Sequence, residues 1–180
     1  MICERISNIE TPFPVEFARS SSSRDGAPTL IPVDEGGAQV QGVILVLNPT
    51  VEVRRAEDLL WRRETRNECS DKLYSPPTNP GLNTVVVEHL QNLANVETVL
   101  FTKIGANIKN RTPEYLANLA ICSARREAGA KRMDGISYLI SAKKQGIQTP
   151  LMPRYEATIL QKAKAQTLKE AYDKIRSGDA

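Results

Sequence analysis

Apolar positions follow one spacing in the first part of this chain and another in the second. Up to about Ile104 they come in short runs or alternate, as in strands, whereas beyond Thr112 they recur every third or fourth residue, as on one face of a helix. Val15 to Ala18 predicts a strand. Ala27 to Val33 predicts another, confined by its prolines to an edge. The strongest strand is Val40 to Leu47, which contains the continuous apolar run Gly42-Val43-Ile44-Leu45-Val46-Leu47. Such runs are usual where both faces of a strand are covered, so this one is expected at the centre of a sheet, paired on both sides and largely buried. Thr84 to Leu90 and Val99 to Ile104 read as further strands across a polar linker. The first dozen residues are poor in apolar content and end in the breaker Thr11-Pro12-Phe13-Pro14, with no strand evident before it.

Between these runs lie a serine-rich polar loop (Arg19 to Gly26), a turn at Asp34-Glu35-Gly36-Gly37, and a long loop from Asn67 to Asn83. Val53 to Arg63 places Ala56, Leu59 and Leu60 at helical spacing. In the second half, Thr112-Pro113-Glu114 offers a cap, a proline at the first helical position and an acid in the first turn. It opens a helix to about Arg126. Asp134 caps the next, which Gly146 stops. After an extended connector at Thr149-Pro150-Leu151-Met152-Pro153, two more helices are expected, Arg154 to Lys164 and Leu168 to Arg176. Strands first and helices after predict an α+β fold. The expectation is one domain over residues 1–180, with a small, mixed, mostly antiparallel barrel-like sheet, helices packed around it and a helical C-terminal half.

Composition narrows the partners. The net charge of +3 is small and the basic residues are scattered among acids, with no basic stretch interleaved with aromatics, so nucleic acid is not expected. No apolar segment is long enough to span a bilayer and the start carries no signal-peptide pattern, so no membrane is expected either. Cys3, Cys69 and Cys122 lie far apart, a spacing that suggests reduced thiols and a cytoplasmic setting. With one histidine, His89, and no cysteine pair, a zinc site is not expected. His89 alternates with Val85 and Val87 and reads as a structural or strand-edge residue.

The chemistry-bearing candidate is Glu64. The helix from Val53 delivers it near its last turn, at the edge of the sheet, where one carboxylate could act as general acid/base. The plainer reading is a surface pair with Arg62, Arg63 or Arg66. Arg19 and Arg24 bracket the serines, and an arginine fork with the Ser20 hydroxyl could hold a carboxylate; they could equally be solvated groups on a polar loop. Tyr74 is either a site hydroxyl or a staple of its proline-rich loop, and Trp61 reads as a packing anchor.

Taken in order, several segments resemble the gamma-glutamylcyclotransferase family. Val15-Glu16-Phe17-Ala18 before a polar loop is similar to its early strand. Gln39 through Leu47 is similar to its central strand, and Glu57-Asp58-Leu59-Leu60-Trp61-Arg62-Arg63-Glu64 to the short helix ending in its catalytic glutamate. Tyr138 through Ile147 resembles its C-terminal helix. The likeness runs from about Val15 to Leu160, with larger insertions around Pro76 and from Ala106 to Lys131. The resemblance implies a cofactor-free enzyme, of transferase or lyase type, that cleaves a small gamma-glutamyl amide and releases 5-oxoproline. Glu64 would then move the proton from the substrate's own amine to the leaving nitrogen, and the tethered nucleophile lowers the barrier by proximity. Arg19, Ser20, Arg24 and Tyr74 would hold the substrate. The family's first strand runs into a Tyr-Gly-Ser-Asn loop. Here the nearest counterpart is Ser7-Asn8, without a preceding Tyr-Gly. The alternative is therefore a non-catalytic ligand-binding or protein-interaction member of the same fold.

Overall fold

The chain is of the α+β class, and its second half is helical. The computed structural model describes residues 2–69 and 71–179. The described residues form strands β1 (Ile2–Glu10), β2 (Val15–Ser21), β3 (Ala27–Pro32), β4 (Gln41–Leu47), β5 (Val86–Leu93) and β6 (Val96–Lys103). The helices are α1 (Val53–Thr65), α2 (Pro113–Ala124), the single turn α3 (Glu127–Ala130), α4 (Gly135–Lys144), α5 (Met152–Ala163) and α6 (Leu168–Ser177). The strands pair as three antiparallel ladders, β1 with β4, β2 with β3 and β5 with β6. Among the described residues no ladder joins another, and no barrel closes.

The contacts group into two compact units, Met1–Thr11 with Gln41–Gly105, and Pro12–Val40 with Ala106–Ala180. The cause lies in the pairing: β1 runs antiparallel to β4, with Ile6 opposite Ile44 and Ser7 opposite Val43, and so groups with residues beyond the segment that separates them in sequence.

The second unit carries the large core. Phe17 on β2, Leu116 and Ala120 on α2, Ile136 and Leu139 on α4, and Tyr155 and Ile159 on α5 are all fully buried. The caps form as expected. Thr112 accepts from the N–H of Tyr115, Asp134 accepts from Ile136 and Ser137, and Gly146 follows α4 at a φ of 76°. The Thr149–Pro153 connector is shorter than expected, because Pro153 already lies in the first turn of α5. Glu16 is buried at 1% exposure, and three donors satisfy its carboxylate: the Thr149 hydroxyl (2.6 Å), the Phe17 N–H (2.8 Å) and the Leu151 N–H (3.2 Å). One acid on β2 thus fixes the entry to α5.

In the first unit the expectation for Val40 to Leu47 is overturned. β4 pairs with β1 alone among the described residues, so it is neither central nor flanked on both sides. Only Ile44 is buried, and Val43 is 55% exposed. A continuous apolar run states that both faces avoid water; it does not supply the neighbours that would cover them. β1, not evident in the sequence, forms with irregularities between Ile2 and Glu4 and between Ser7 and Ile9. β5 and β6 meet in a two-residue turn at Ala94-Asn95, whose φ values of 53° and 64° are those of a type I′ hairpin. The polar linker expected between Leu90 and Val99 shrinks to that turn, because β5 runs on to Leu93 and β6 already starts at Val96.

Candidate functional site

Glu64 lies in the last turn of α1, after which Arg66 takes a left-handed conformation. Its Oε1 accepts two hydrogen bonds from the Arg63 guanidinium, at 3.1 Å from Nε and 2.8 Å from Nη2. The side chains are 60% and 37% exposed, for Arg63 and Glu64 respectively. Exposed pairs of this kind contribute roughly 0–1 kcal/mol. Arg62 is turned elsewhere and donates to the carbonyl of Lys72.

Tyr74 belongs to the same unit and is almost fully buried. Its hydroxyl accepts from the Val87 N–H at 2.9 Å, its own N–H donates to Asp58 at 2.6 Å, and its carbonyl accepts from Arg54 at 2.9 Å. Trp61 packs beside it, ring centroids 6.3 Å apart. Tyr74 therefore fastens the long loop to α1 and β5, the staple role, with its hydroxyl already engaged. His89 on β5 meets Glu57 of α1 at 2.8 Å, again a tie between helix and ladder. The carboxylates that α1 buries are Glu57 and Asp58, while Leu59 and Leu60 remain half-exposed.

Arg19, Ser20 and Arg24 belong to the other unit. The serine-rich stretch is ordered. β2 continues to Ser21, a 3-10 turn covers Ser22–Arg24, and Asp25 at a φ of 52° leads into Gly26. The Ser20 hydroxyl donates to the Gly26 carbonyl at 2.9 Å, and its backbone exchanges hydrogen bonds with the Asn107 side chain at 2.7 and 3.0 Å. The Arg24 guanidinium stands over the Tyr138 ring, 5.3 Å from its centroid. Partial burial lowers the pKa of Arg19 from its ordinary value, and its carbonyl accepts from the Thr29 hydroxyl. Asp25 accepts from the Ala128 N–H and so caps α3, an element with no local sequence signal. The candidate residues thus fall into two groups, Glu64 with Tyr74 and Arg19 with Ser20 and Arg24.

Concave surfaces occur in each unit among the described residues. In the first unit a cleft of about 730 Å3 is walled by Val43–Leu47 of β4 and Val96–Leu100 of β6, with Ala56, Leu59 and Leu60 of α1 along it and Arg63 at its lining. The residue that holds the Glu64 carboxylate thus also borders this cleft. Sequence reasoning missed β6 as a wall, although its apolar alternation was readable. In the second unit a groove of about 640 Å3 runs past Arg132, Lys143, Lys144 and Lys169, with Glu156 as its acid. Lys143 is paired to that acid, and Arg132 stacks on Tyr172 at 3.8 Å. Among the described residues no group of three or more His, Cys, Asp or Glu side chains could hold a metal ion. No described helix is long and apolar enough to cross a membrane. The three cysteines are free and exposed. No protein-family model, curated protein or solved structure matches this chain.

Proposed function

We propose that this chain is a non-catalytic binding module with the strand-then-helix organisation that resembles the gamma-glutamylcyclotransferases. The observation that carries this reading is the apolar cleft of the first unit, bordered by two strands and the apolar side of α1. Its walls offer contact area. A cyclisation site needs, in addition, hydrogen-bond donors converging on a developing oxyanion and a proton shuttle within reach of the reacting nitrogens. Glu64 is exposed and held by Arg63, and the Tyr74 hydroxyl is held by the Val87 N–H.

A second reading keeps the cyclotransferase: a cofactor-free enzyme acting on a small gamma-glutamyl amide in the cytoplasm, with Glu64 as general acid/base. It is favoured by the segment from β4 through α1, which forms in the expected order and carries Glu64 in its last turn, and by Arg63, which touches that carboxylate and borders the cleft. The barrel-like sheet belongs to this reading. One experiment separates the two. Incubated with millimolar gamma-glutamyl amino acids and amides, a binding module releases no 5-oxoproline. Release by the wild-type chain that disappears in Glu64→Gln would overturn the first reading and establish the second. Loss of a general acid/base costs about 10²–10⁴ in rate.

A further inference from the structure

The positive charge of this chain is not shared between its units. The second unit holds sixteen lysines and arginines against eleven acids, and the first holds eight against ten. A sign asymmetry of this kind points to a charged partner. Within the second unit, the groove of about 640 Å3 gathers four of the bases, Arg132, Lys143, Lys144 and Lys169, around a single acid, Glu156.

The neighbouring acids do not neutralise that charge. Glu156 is taken by Lys143, a pair that ties α5 to the end of α4. Glu170, next to Lys169 in sequence, pairs with Lys174 and accepts the N–H of Gln166 at 2.8 Å. Among the described residues, Arg132, Lys144 and Lys169 have no acidic partner. Arg132 is nonetheless held in place. Its guanidinium lies 3.8 Å from the centroid of Tyr172, a buried ring whose hydroxyl donates to the Gly129 carbonyl at 2.6 Å. Stacking uses the face of a guanidinium and leaves the N–H donors around its rim. A planar donor set, fixed by a ring and beside two further cations, suits an anion with several acceptor oxygens.

The lining narrows the class of anion. Three cations without an acid exceed what one carboxylate neutralises, whereas a phosphomonoester carries close to two charges at neutral pH and presents three acceptor oxygens. Ile140, partly buried, and Leu168, buried, add apolar surface to the same groove. None of its lining residues is aromatic, so it offers no stacking platform for a nucleobase. Its volume is that of a small-molecule site.

We propose that this groove binds a small aliphatic phosphomonoester, with the phosphate among Arg132, Lys144 and Lys169 and the aliphatic body against Ile140 and Leu168. The inference concerns the second unit alone and does not rest on the reading of the first unit's cleft.

The probe is hexyl phosphate, titrated into the whole chain at about 0.1 M salt and followed by amide chemical shifts. Saturable shifts at Lys143, Lys144, Leu168 and Lys169 are expected, with a Kd of about a millimolar or tighter. Hexanoate, with half the charge, and inorganic phosphate, without the apolar body, should each bind at least about threefold more weakly. Replacing both exposed lysines, Lys144→Ala with Lys169→Ala, should weaken hexyl phosphate about tenfold with the circular dichroism unchanged. Arg132→Lys, which keeps the charge and loses the stacked fork, should weaken it too. No saturable shift at about 10 mM hexyl phosphate, or shifts spread over other lysine-bearing surfaces, would overturn the proposal. Inorganic phosphate binding as tightly as hexyl phosphate would do the same, since the groove would then hold an adventitious ion only. So would an unchanged affinity in the double variant. The first three outcomes are read on the wild-type chain.

Discussion

The hydroxyl of Tyr74 accepts the backbone N–H of Val87 at 2.9 Å, so a loop residue completes the hydrogen bonding of a strand. Both residues are buried, at 1% and 6% exposure. Tyr74→Phe would leave that N–H without an acceptor, at a cost of about 1–3 kcal/mol. The local consequence is faster exchange of the Val87 amide, measurable by NMR. Gamma-glutamyl binding should be unchanged in the folded variant. A Tyr74→Phe chain with normal Val87 protection and lost ligand binding would return Tyr74 to a site role.

A glycine in the first turn of a helix ordinarily invites replacement by alanine, which favours the helix by roughly 0.8–1.0 kcal/mol. Gly135 should reverse that sign. A Cβ there would lie 2.8 Å from Ala120 Cα, Ala120 Cβ and Pro28 Cδ, and the obstruction is backbone and ring, not a flexible side-chain tip. Gly135 also donates its N–H to the Ser123 hydroxyl, which holds the close approach of α4 to α2. Gly135→Ala is expected to destabilise by about 1–3 kcal/mol. A lowered urea midpoint with the same far-ultraviolet spectrum is the expected result; an unchanged or raised midpoint would show that α4 can slide away at no cost.

The contrast between Gly135 and β4 marks what the sequence could and could not reveal. The helices of the second half were legible because their signals are local. Thr112 and Asp134 cap by reaching two or three residues ahead, and Gly146 ends a helix by its own φ. The position of β4 was not legible, because centrality depends on partners far away in the chain. β1 escaped notice for the same reason: its nine residues are mostly exposed, and their pairing with β4 is the only thing that makes them a strand. The short α3 takes its cap from Asp25, about a hundred positions earlier, which no window along the sequence could reveal. Among the candidate site residues, Glu64 and its arginine neighbour were readable, since they are adjacent. The buried roles of Glu16 and Tyr74 were not, since each depends on donors from distant segments.

Tyr155 carries the sharpest prediction about the second unit. Its side chain is fully buried, its ring meets Phe17 edge-on at 5.1 Å, and its hydroxyl has no hydrogen-bond partner among the described residues. Burial, with the Asp134 carboxylate adding to it, pushes the phenol well above the ordinary tyrosine range. The sign of the pH dependence follows. Below about pH 10 the phenol is neutral in both states and contributes no slope. Above that value the unfolded phenol loses its proton while the folded one keeps it, so the unfolded state is favoured and stability falls as pH rises. Tyr138, raised in the same direction by its own burial, adds to the slope. Tyr155→Phe keeps the ring packing and removes a polar group that was buried without compensation. It should therefore be neutral or stabilising by about 1–3 kcal/mol near neutral pH, and it should flatten the loss of stability between about pH 10 and pH 11. Urea midpoints of both proteins at neutral and alkaline pH test this directly. A variant less stable than wild type at neutral pH would mean that the hydroxyl is satisfied in solution, by ordered water or a shifted side chain, and the alkaline slope would then have to come from another group.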